Sequence, residues 1–301
     1  MWSFGHCWRR GFRYHDEVQC HLDAGNPSFE SHVNLRATMV RPLNCLFLVV
    51  ALGASAVVAA EPFRIRVLSY NIHHGEGVDG KLDLARIAKV IRSVSPDVVA
   101  LQEVDDQVRR SGSVKQPMEL ARLTNMQVVF EKNIDYQGGR YGNAVLSRFP
   151  FVQHKNVHLP LFDKGEQRGV LVCELRLPSR KQPLLFLGTH LDHRRKDRER
   201  LASAERINAL SDAYDKQPAL LVGDLNATRG SDVLARFQKN WQIVHREELP
   251  TVPVGKPNRQ IDFILSRPMG AWKTVEVRVL EEAVASDHRA LFAVLEWAGT
   301  Q

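Results

Sequence analysis

Short apolar runs of strand length recur from Phe63 to the C-terminal end of the chain, and most of them are followed by a polar residue. The run 64–70 alternates in polarity like a strand. The run 97–101 is almost wholly apolar, as expected for a strand covered on both faces, and 219–222 is a further strand. Helical patterns separate some runs, and short connections join others. This order predicts an α/β fold with mixed strand directions and argues against a regular parallel crossover fold.

Helical segments divide these strands into groups. Asp83 precedes a stretch whose apolar residues fall on one helical face, so we predict that Asp83 is the N-cap of a helix that ends before Ser95-Pro96. Further helices are expected at 117–124, at 196–214 and just after Gly230. Further strands are expected near 127–131, 142–147, 151–157, 168–177, 184–189, 241–245, 261–266, 272–280 and 289–296.

The first part of the chain differs in character from the rest. A basic start at Met39-Val-Arg41, an apolar run over 43–58 and small residues before Glu61 together predict a secretory signal peptide over 39–60. Residues 1–38 are polar and irregular, and we interpret them either as a leader or as the result of too early a start codon. The apolar run, about 16 residues long, is too short for a comfortable membrane span. We therefore expect one exported domain over 61–301, periplasmic or secreted, monomeric, and without stable membrane insertion after processing.

Charge and cysteine content limit the chemistry of this domain. Residues 1–60 carry five Arg and four acidic residues, so the whole-chain totals of 41 basic and 34 acidic residues fall to 36 and 30 in 61–301, a net charge of +6. Such an excess suits an anionic substrate without by itself indicating nucleic acid. Cys173 is the one cysteine in 61–301, which excludes an internal disulfide bond and metal sites built from paired thiolates.

Polar side chains with catalytic chemistry lie in or just after several strand-like runs, where loops commonly form functional sites. They are Asn71, Glu103, His190, Asp192, Asp224, Asn226, Asp262, Asp287 and His288. Carboxylate and amide oxygens of this kind suit Mg²⁺, Mn²⁺ or Ca²⁺. The two imidazoles have an ordinary pKa near neutrality. A hard divalent cation combined with an imidazole is the chemistry of phosphate ester hydrolysis.

Seven short segments, each common on its own, occur in a specific order along 63–297. They are Ser69-Tyr-Asn-Ile-His-His-Gly75, Pro96-Asp-Val-Val-Ala-Leu-Gln-Glu-Val104, Gly142-Asn-Ala-Val-Leu-Ser-Arg148, Gly188-Thr-His-Leu-Asp192, Val222-Gly-Asp-Leu-Asn-Ala227, Ile261-Asp-Phe-Ile-Leu265 and Ser286-Asp-His288. In this order they resemble the endonuclease/exonuclease/phosphatase superfamily, also called deoxyribonuclease-I-like. The resemblance implies a four-layer α/β/β/α sandwich, with two packed mixed β-sheets flanked by helices, and a metal-dependent phosphoric ester hydrolase over 61–301.

The resemblance also implies roles for the matching positions. Glu103 would be the principal metal ligand, with Asn71 beside it, and Asp287 would close this metal site or a second one. Asp224 and Asn226 would orient the attacking water and hold the phosphate.

Two imidazoles complete the implied catalytic set. His288 would act as base or as phosphate ligand, oriented by Asp262. His190 would bind the phosphate or protonate the leaving oxygen. Which imidazole is the acid and which is the base stays open, and a metal-bound water could replace either.

Several further residues are candidates for substrate binding, and each has an ordinary structural alternative. Arg168 could reach the phosphate or be a surface arginine at a strand end, and Asn143 could form part of the site wall. His73 follows Asn71 in a Gly-containing turn and could touch substrate or metal, or face solvent. Asn71 itself and Asp192 are also placed in this set. The basic stretch 193–200 is interleaved with acids, which favours a solvated helix start over a nucleic-acid surface.

Three functions remain in competition. The first is an exported phosphodiesterase or phosphatase that acts on a small-molecule or lipid-headgroup phosphate ester. The second is a secreted nuclease that cleaves DNA or RNA. The third is a catalytically silent protein that binds a phosphorylated ligand, which the intact set from Asn71 to His288 argues against.

Overall fold

The computed structural model describes residues 63–178, 180–214 and 217–299. The expected leader (1–38) and signal peptide (39–60), and positions 61 and 62 of the domain, lie outside the described residues. In the described part of the chain, no helix combines the length and the apolar character of a membrane span.

Two six-stranded β-sheets form the centre of the domain. Across the first sheet the strands are β11 (Trp272–Val279), β12 (Leu291–Trp297), β1 (Arg64–Asn71), β2 (Val98–Asp106), β4 (Gly139–Ser147) and β3 (Gln127–Tyr136). Across the second they are β5 (Phe151–His158), β6 (Gly169–Leu175), β7 (Leu184–His190), β8 (Ala219–Asp224), β10 (Asp262–Arg267) and β9 (Gln242–Ile243). The pairs β1–β2 and β7–β8 are parallel and the other pairs antiparallel, so both sheets are mixed.

Four helices cover the outer faces of the sheets. They are α1 (Leu84–Ser93), α2 (Gln116–Thr124), α3 (Arg198–Asp212) and α4 (Asp232–Phe237). Apolar residues of α1 and α2 pack with β1, β2 and β4, and those of α3 and α4 pack with the second sheet. Asp83 caps α1, since its side chain accepts a hydrogen bond of 2.9 Å from the Arg86 backbone N–H. The four-layer α/β/β/α sandwich expected from the sequence is therefore confirmed.

Side-chain alternation along the strands decides what lies between the sheets. In β1, Ile65 and Val67 belong to the core shared by both sheets, whereas Leu68 and Tyr70 face the helices. In β8, Leu220 and Val222 belong to that shared core. Alternate side chains lie on one face of a strand. Asn71 at the end of β1 and Asp224 at the end of β8 therefore also face the space between the sheets.

Candidate active site

Polar side chains end the inner rows of four strands at one rim of the sandwich. Asn71 ends β1, and His190 and Asp224 end the parallel strands β7 and β8. Asp262 begins the antiparallel strand β10. Asp224 is the register partner of both His190 and Asp262, so three residues distant in sequence lie side by side. All four residues are buried, with at most 4% of their surface exposed.

Glu103 reaches the same rim through an irregularity in β2. Strict alternation would place Glu103 on the helix-facing side with Leu101. The pairing of β2 with β4 shifts between Leu101 and Val104, and Glu103 has a left-handed backbone with φ 58°. Such a bulge changes the direction of a side chain. As a result, the Asn71 Nδ2 donates a hydrogen bond of 3.0 Å to Glu103 Oε1.

Asn71 connects the two sheets. Its Nδ2 also donates to Asp224 Oδ2 at 3.3 Å, and its Oδ1 accepts from the His73 backbone N–H at 3.1 Å. The Ser286 hydroxyl donates to the Asn71 carbonyl at 2.7 Å, which holds the loop carrying Asp287 against β1. Glu103, Asn71 and Asp224 therefore form one hydrogen-bonded chain across the mouth between the sheets.

His288 is paired with Asp262. The distance from His288 Nδ1 to Asp262 Oδ2 is 2.9 Å, and the Thr251 hydroxyl donates to the same carboxylate oxygen at 2.5 Å. Burial opposes the charged imidazole, but the Asp262 carboxylate outweighs it, and the pKa of His288 rises to about 10. His288 is therefore a cation at neutral pH, with its Nε2 3.8 Å from Asp224 Oδ2.

His190 has the opposite electrostatic setting. Arg168 lies with a guanidinium nitrogen 3.0 Å from His190 Nδ1. Since a guanidinium only donates, Nδ1 accepts and the ring hydrogen is on Nε2, which lies 3.4 Å from Asp224 Oδ2. Burial and the Arg168 charge together hold the pKa of His190 well below its ordinary value. His190 is therefore neutral.

Asp224 lies between these two imidazoles. Burial first, and the Asp262 carboxylate second, raise the pKa of Asp224 to about 7. The Asn226 backbone N–H donates to Asp224 Oδ1 at 2.8 Å, and the Asn226 Nδ2 donates to the Leu191 carbonyl at 3.1 Å. Asp224 Oδ2 thus has three nitrogen neighbours at 3.3–3.8 Å, from Asn71, His190 and His288.

The donor atoms fit a divalent metal ion. Asp224, Asp262 and His288 have three potential ligand atoms within 4.8 Å of one another, but a protonated His288 has no lone pair to offer a metal. Glu103 clusters in the same way with His73 and His74. Carboxylate oxygens and imidazole nitrogens are ligands of divalent cations. The cysteine of the described residues, Cys173, is buried in the core between the sheets.

Asn143, Arg168 and Asp192 lie around this centre, and each has polar partners. The Asn143 Nδ2 donates to the Gly169 carbonyl at 3.1 Å, at the start of β6. Arg168 is buried and contacts Glu166 at 2.8 Å as well as the two imidazoles of His190 and His193. The Asp192 carboxylate accepts from the backbone and side chain of Arg194, so it holds the loop after β7.

Thr251 and His193 contact candidate residues but are not among those that the sequence identifies. Thr251, which bonds Asp262, lies in the long connection between β9 and β10, where no strand pattern marks it. His193, 3.1 Å from the Arg168 guanidinium, is the first residue of the basic stretch 193–200, for which the sequence favours a solvated helix start. Its sequence position beside Asp192 is the one local signal that could have identified it.

Comparison with known proteins agrees with this arrangement. Residues 68–288 match the Endonuclease/Exonuclease/phosphatase family. The uncharacterized protein YbhP of Escherichia coli is 29% identical over 248 residues, covering 77% of this chain and 96% of YbhP.

A relative and a solved structure carry functional names. The 5′-tyrosyl-DNA phosphodiesterase of Caenorhabditis elegans is 27% identical over 189 residues, covering 58% of this chain and 47% of that protein. The mannosyl-6-phosphatase structure from Bacteroides thetaiotaomicron superposes with a TM-score of 0.63 and 18% identity, covering 77% of this chain and 99% of that one. At that identity the likeness concerns the fold.

Proposed function

Because the chain belongs to the endonuclease/exonuclease/phosphatase family and is a phosphoric ester hydrolase of that family, we propose that it is an exported enzyme that hydrolyses a phosphodiester with a divalent cation and an activated water. The proposal depends on the row of hydrogen bonds that runs from Glu103 through Asn71 to Asp224. One cationic and one neutral imidazole lie beside Asp224. These side chains can stabilise negative charge on a phosphate and can accept a proton from water.

Glu103, Asn71 and Asp287 would hold the cation. The expected ion is Mg²⁺ or Mn²⁺, with Ca²⁺ as a further candidate. When bound, such an ion neutralises charge on the phosphate oxygens and on the leaving group. Ser286 supports this assignment, because its hydroxyl bonds the Asn71 carbonyl and lies 3.4 Å from Asp287 Oδ1. The loop that carries Asp287 is thereby fixed beside Asn71.

His288 acts as a phosphate ligand in this proposal. The sequence left open whether it is base or ligand. Its raised pKa and its ion pair with Asp262 keep a hydrogen on both ring nitrogens at neutral pH. It therefore donates from Nε2 to a phosphate oxygen and stabilises the charge that develops there.

Asp224 is the group that takes the proton of the attacking water. Its pKa of about 7 suits a general base at neutral pH, and Asn226 fixes the orientation of its carboxylate through Oδ1. His190, neutral and hydrogenated on Nε2, donates a hydrogen bond to the substrate from the other side of Asp224.

The substrate class and the export are the finer parts of the proposal. A phosphodiester is supported by the relative named 5′-tyrosyl-DNA phosphodiesterase. The structural neighbour named mannosyl-6-phosphatase makes a monoester the alternative to test. Export rests on the pattern of basic start, apolar run and small residues over 39–60.

The test is a substrate panel for the purified protein with Mg²⁺ or Mn²⁺. The substrates are bis-p-nitrophenyl phosphate, p-nitrophenyl phosphate, plasmid DNA and a set of phospholipids. We expect the diester to be cleaved fastest and excess EDTA to abolish cleavage. Loss of plasmid supercoiling at a low enzyme concentration would show that the protein is a nuclease. Cleavage that survives EDTA would show that the mechanism does not use a metal ion.

Two variants connect the activity to the site. Glu103→Gln and His288→Gln should each reduce kcat/KM by several orders of magnitude, since each loses an interaction with the transition state. Glu119→Gln is the matched control, because Glu119 pairs with Arg122 on the surface of α2. A modest loss in both site variants would show that the reaction takes place elsewhere.

A further inference from the structure

His73 and His74 lie in the tight turn that follows β1, beside the bulge that carries Glu103. The two rings meet edge to face with centroids 4.5 Å apart. One ligand atom from each imidazole and one carboxylate oxygen of Glu103 lie within 4.8 Å of one another. All three residues have a left-handed backbone, with φ of 45°, 46° and 58°. Such conformations cost free energy in non-glycine residues and cluster at functional sites.

Hydrogen bonding assigns the ring nitrogens that remain free. The His73 Nδ1 lies 3.1 Å from the Glu76 carbonyl oxygen. Since a carbonyl only accepts, Nδ1 carries the hydrogen and Nε2 keeps its lone pair. The His74 Nε2 lies 3.4 Å from the Glu76 carboxylate, which leaves the lone pair on His74 Nδ1. An imidazole whose second nitrogen bonds a carbonyl or carboxylate is the usual form of a metal-ligating histidine.

His74 is a buried side chain with an unused ligand atom. It is 7% exposed, and its Nδ1 has no hydrogen-bond partner among the described residues. A buried polar atom without a partner destabilises the fold, so such atoms are uncommon unless something binds them. A metal ion would satisfy this nitrogen.

Gln116 holds the turn and the bulged strand in a fixed relation. Its Nε2 donates to the His74 carbonyl at 2.6 Å, and its Oε1 accepts from the Asp105 backbone N–H at 3.0 Å. The ligand atoms are thus positioned before any ion arrives. Arg110, whose charge acts on His74, is bound at two points by the Asp105 carboxylate, which offsets that charge.

We propose that His73, His74 and Glu103 form a binding site for a divalent transition metal of the zinc class. Zn²⁺ and the other late first-row transition metals accept imidazole nitrogen readily as a ligand, whereas Mg²⁺ favours oxygen ligands. Two imidazoles and one carboxylate, with room for a further ligand, are also a known catalytic zinc set. The inference rests on the proposed function in one respect, namely that Glu103 serves the active centre as well.

The test is a metal titration of the full-length protein after removal of metal by chelation. Co²⁺ is added while the visible absorption spectrum is recorded, and Zn²⁺ is then added in competition. We expect Co²⁺ bands typical of nitrogen ligation that Zn²⁺ removes and that excess Mg²⁺ leaves in place. Bands displaced by Mg²⁺ would indicate an all-oxygen site and overturn the proposal.

Variants identify the ligands. His73→Gln and His74→Gln should each abolish the Co²⁺ bands, and Glu76→Gln should weaken Zn²⁺ binding by about 10–100-fold, the usual effect of removing an outer-shell partner. His154→Gln is the matched control, since its side chain is 43% exposed on β5. His73 is partly exposed, so His73→Gln is expected to fold even if His74→Gln does not.

The outcomes separate this inference from the proposed function. If His73→Gln binds Zn²⁺ as tightly as the wild type, the site is wrong, and Mg²⁺-dependent diester hydrolysis is unaffected by that result. If the Co²⁺ spectrum follows the expectation but cleavage survives EDTA, the metal site stands and the hydrolytic mechanism fails.

Discussion

Replacing Asp262 by Asn tests the charge pair on which the assignment of His288 depends. The two groups are 2.9 Å apart and both are buried. At an effective dielectric constant of 20, this separation corresponds to an attraction of about 6 kcal/mol, or roughly four pKa units. The variant keeps the shape and an acceptor oxygen but loses the negative charge. Because burial continues to oppose the charged imidazole, the pKa of His288 should fall from about 10 to below its ordinary value.

The loss of the pair should appear as a pH-dependent loss of stability. The folded-state pKa of His288 is raised from 6.5 to about 10. Its stabilising contribution is therefore complete below pH 6.5 and disappears as the pH rises through 10, and it amounts to about 4 kcal/mol at pH 7. Part of this is offset, since the raised pKa of Asp224 also depends on the Asp262 charge. We expect Asp262→Asn to be less stable than wild type by about 2–4 kcal/mol at pH 6–7.

Urea denaturation of the metal-free protein between pH 6 and pH 10 measures this difference. The gap between variant and wild type should shrink toward zero as the pH approaches 10. Asp135→Asn is the matched control, because its partner Lys132 and the carboxylate are both solvent-exposed and such pairs contribute about 0–1 kcal/mol. Equal stability of Asp262→Asn and wild type at pH 6, or a gap that does not change with pH, would refute the charged pair.

Three further predictions concern a close backbone approach, the contact between Arg168 and His190, and the expected signal peptide. Gly223→Ala should lower the free energy of unfolding by at least about 3 kcal/mol in urea denaturation, since a Cβ there would lie 1.9 Å from the Thr189 carbonyl oxygen. Gly255→Ala is the control and should be near neutral, because a Cβ there would have no atom within 4 Å. Arg168→Met should raise the pKa of His190 in an NMR titration, because the second cause of its lowering is removed, and an unchanged pKa would contradict the contact. N-terminal sequencing of the secreted protein should begin at Glu61, and recovery with residues 39–60 still attached would argue against the signal peptide.

The sequence, with the family resemblance that it carries, was sufficient for the four-layer fold and for the polar residues at the ends of β1, β7, β8 and β10, but not for Thr251 or His193. Apolar runs of strand length gave the strands, and their bounds shifted by a few residues at the ends. β3 continues to Tyr136 instead of stopping at 131, and β2 continues to Asp106 instead of stopping at 101. Pattern reasoning ends such a strand early, because the bulge at Glu103 interrupts the alternation that identifies it.

The chemistry of the rim depended on distant contacts. Asn71 bonds Asp224 across 153 positions, and Ser286 bonds the Asn71 carbonyl across 215. Neither separation carries a signal in a single sequence, because strand order and register decide which residues become neighbours. The charge of each imidazole likewise depends on whether a carboxylate or a guanidinium stands opposite.

By itself the sequence determined which face of β1, β7, β8 and β10 is polar at the rim, since alternation along a strand is a local property of two or three residues. It also determined the chemical types present, acids, amides and imidazoles without paired thiolates. Only the tertiary structure decided that His288 meets Asp262 and is charged, that His190 meets Arg168 and is neutral, and that Glu103 turns inward. Protonation depends on burial and on charges a few ångströms away, and those distances exist only once both sheets are packed.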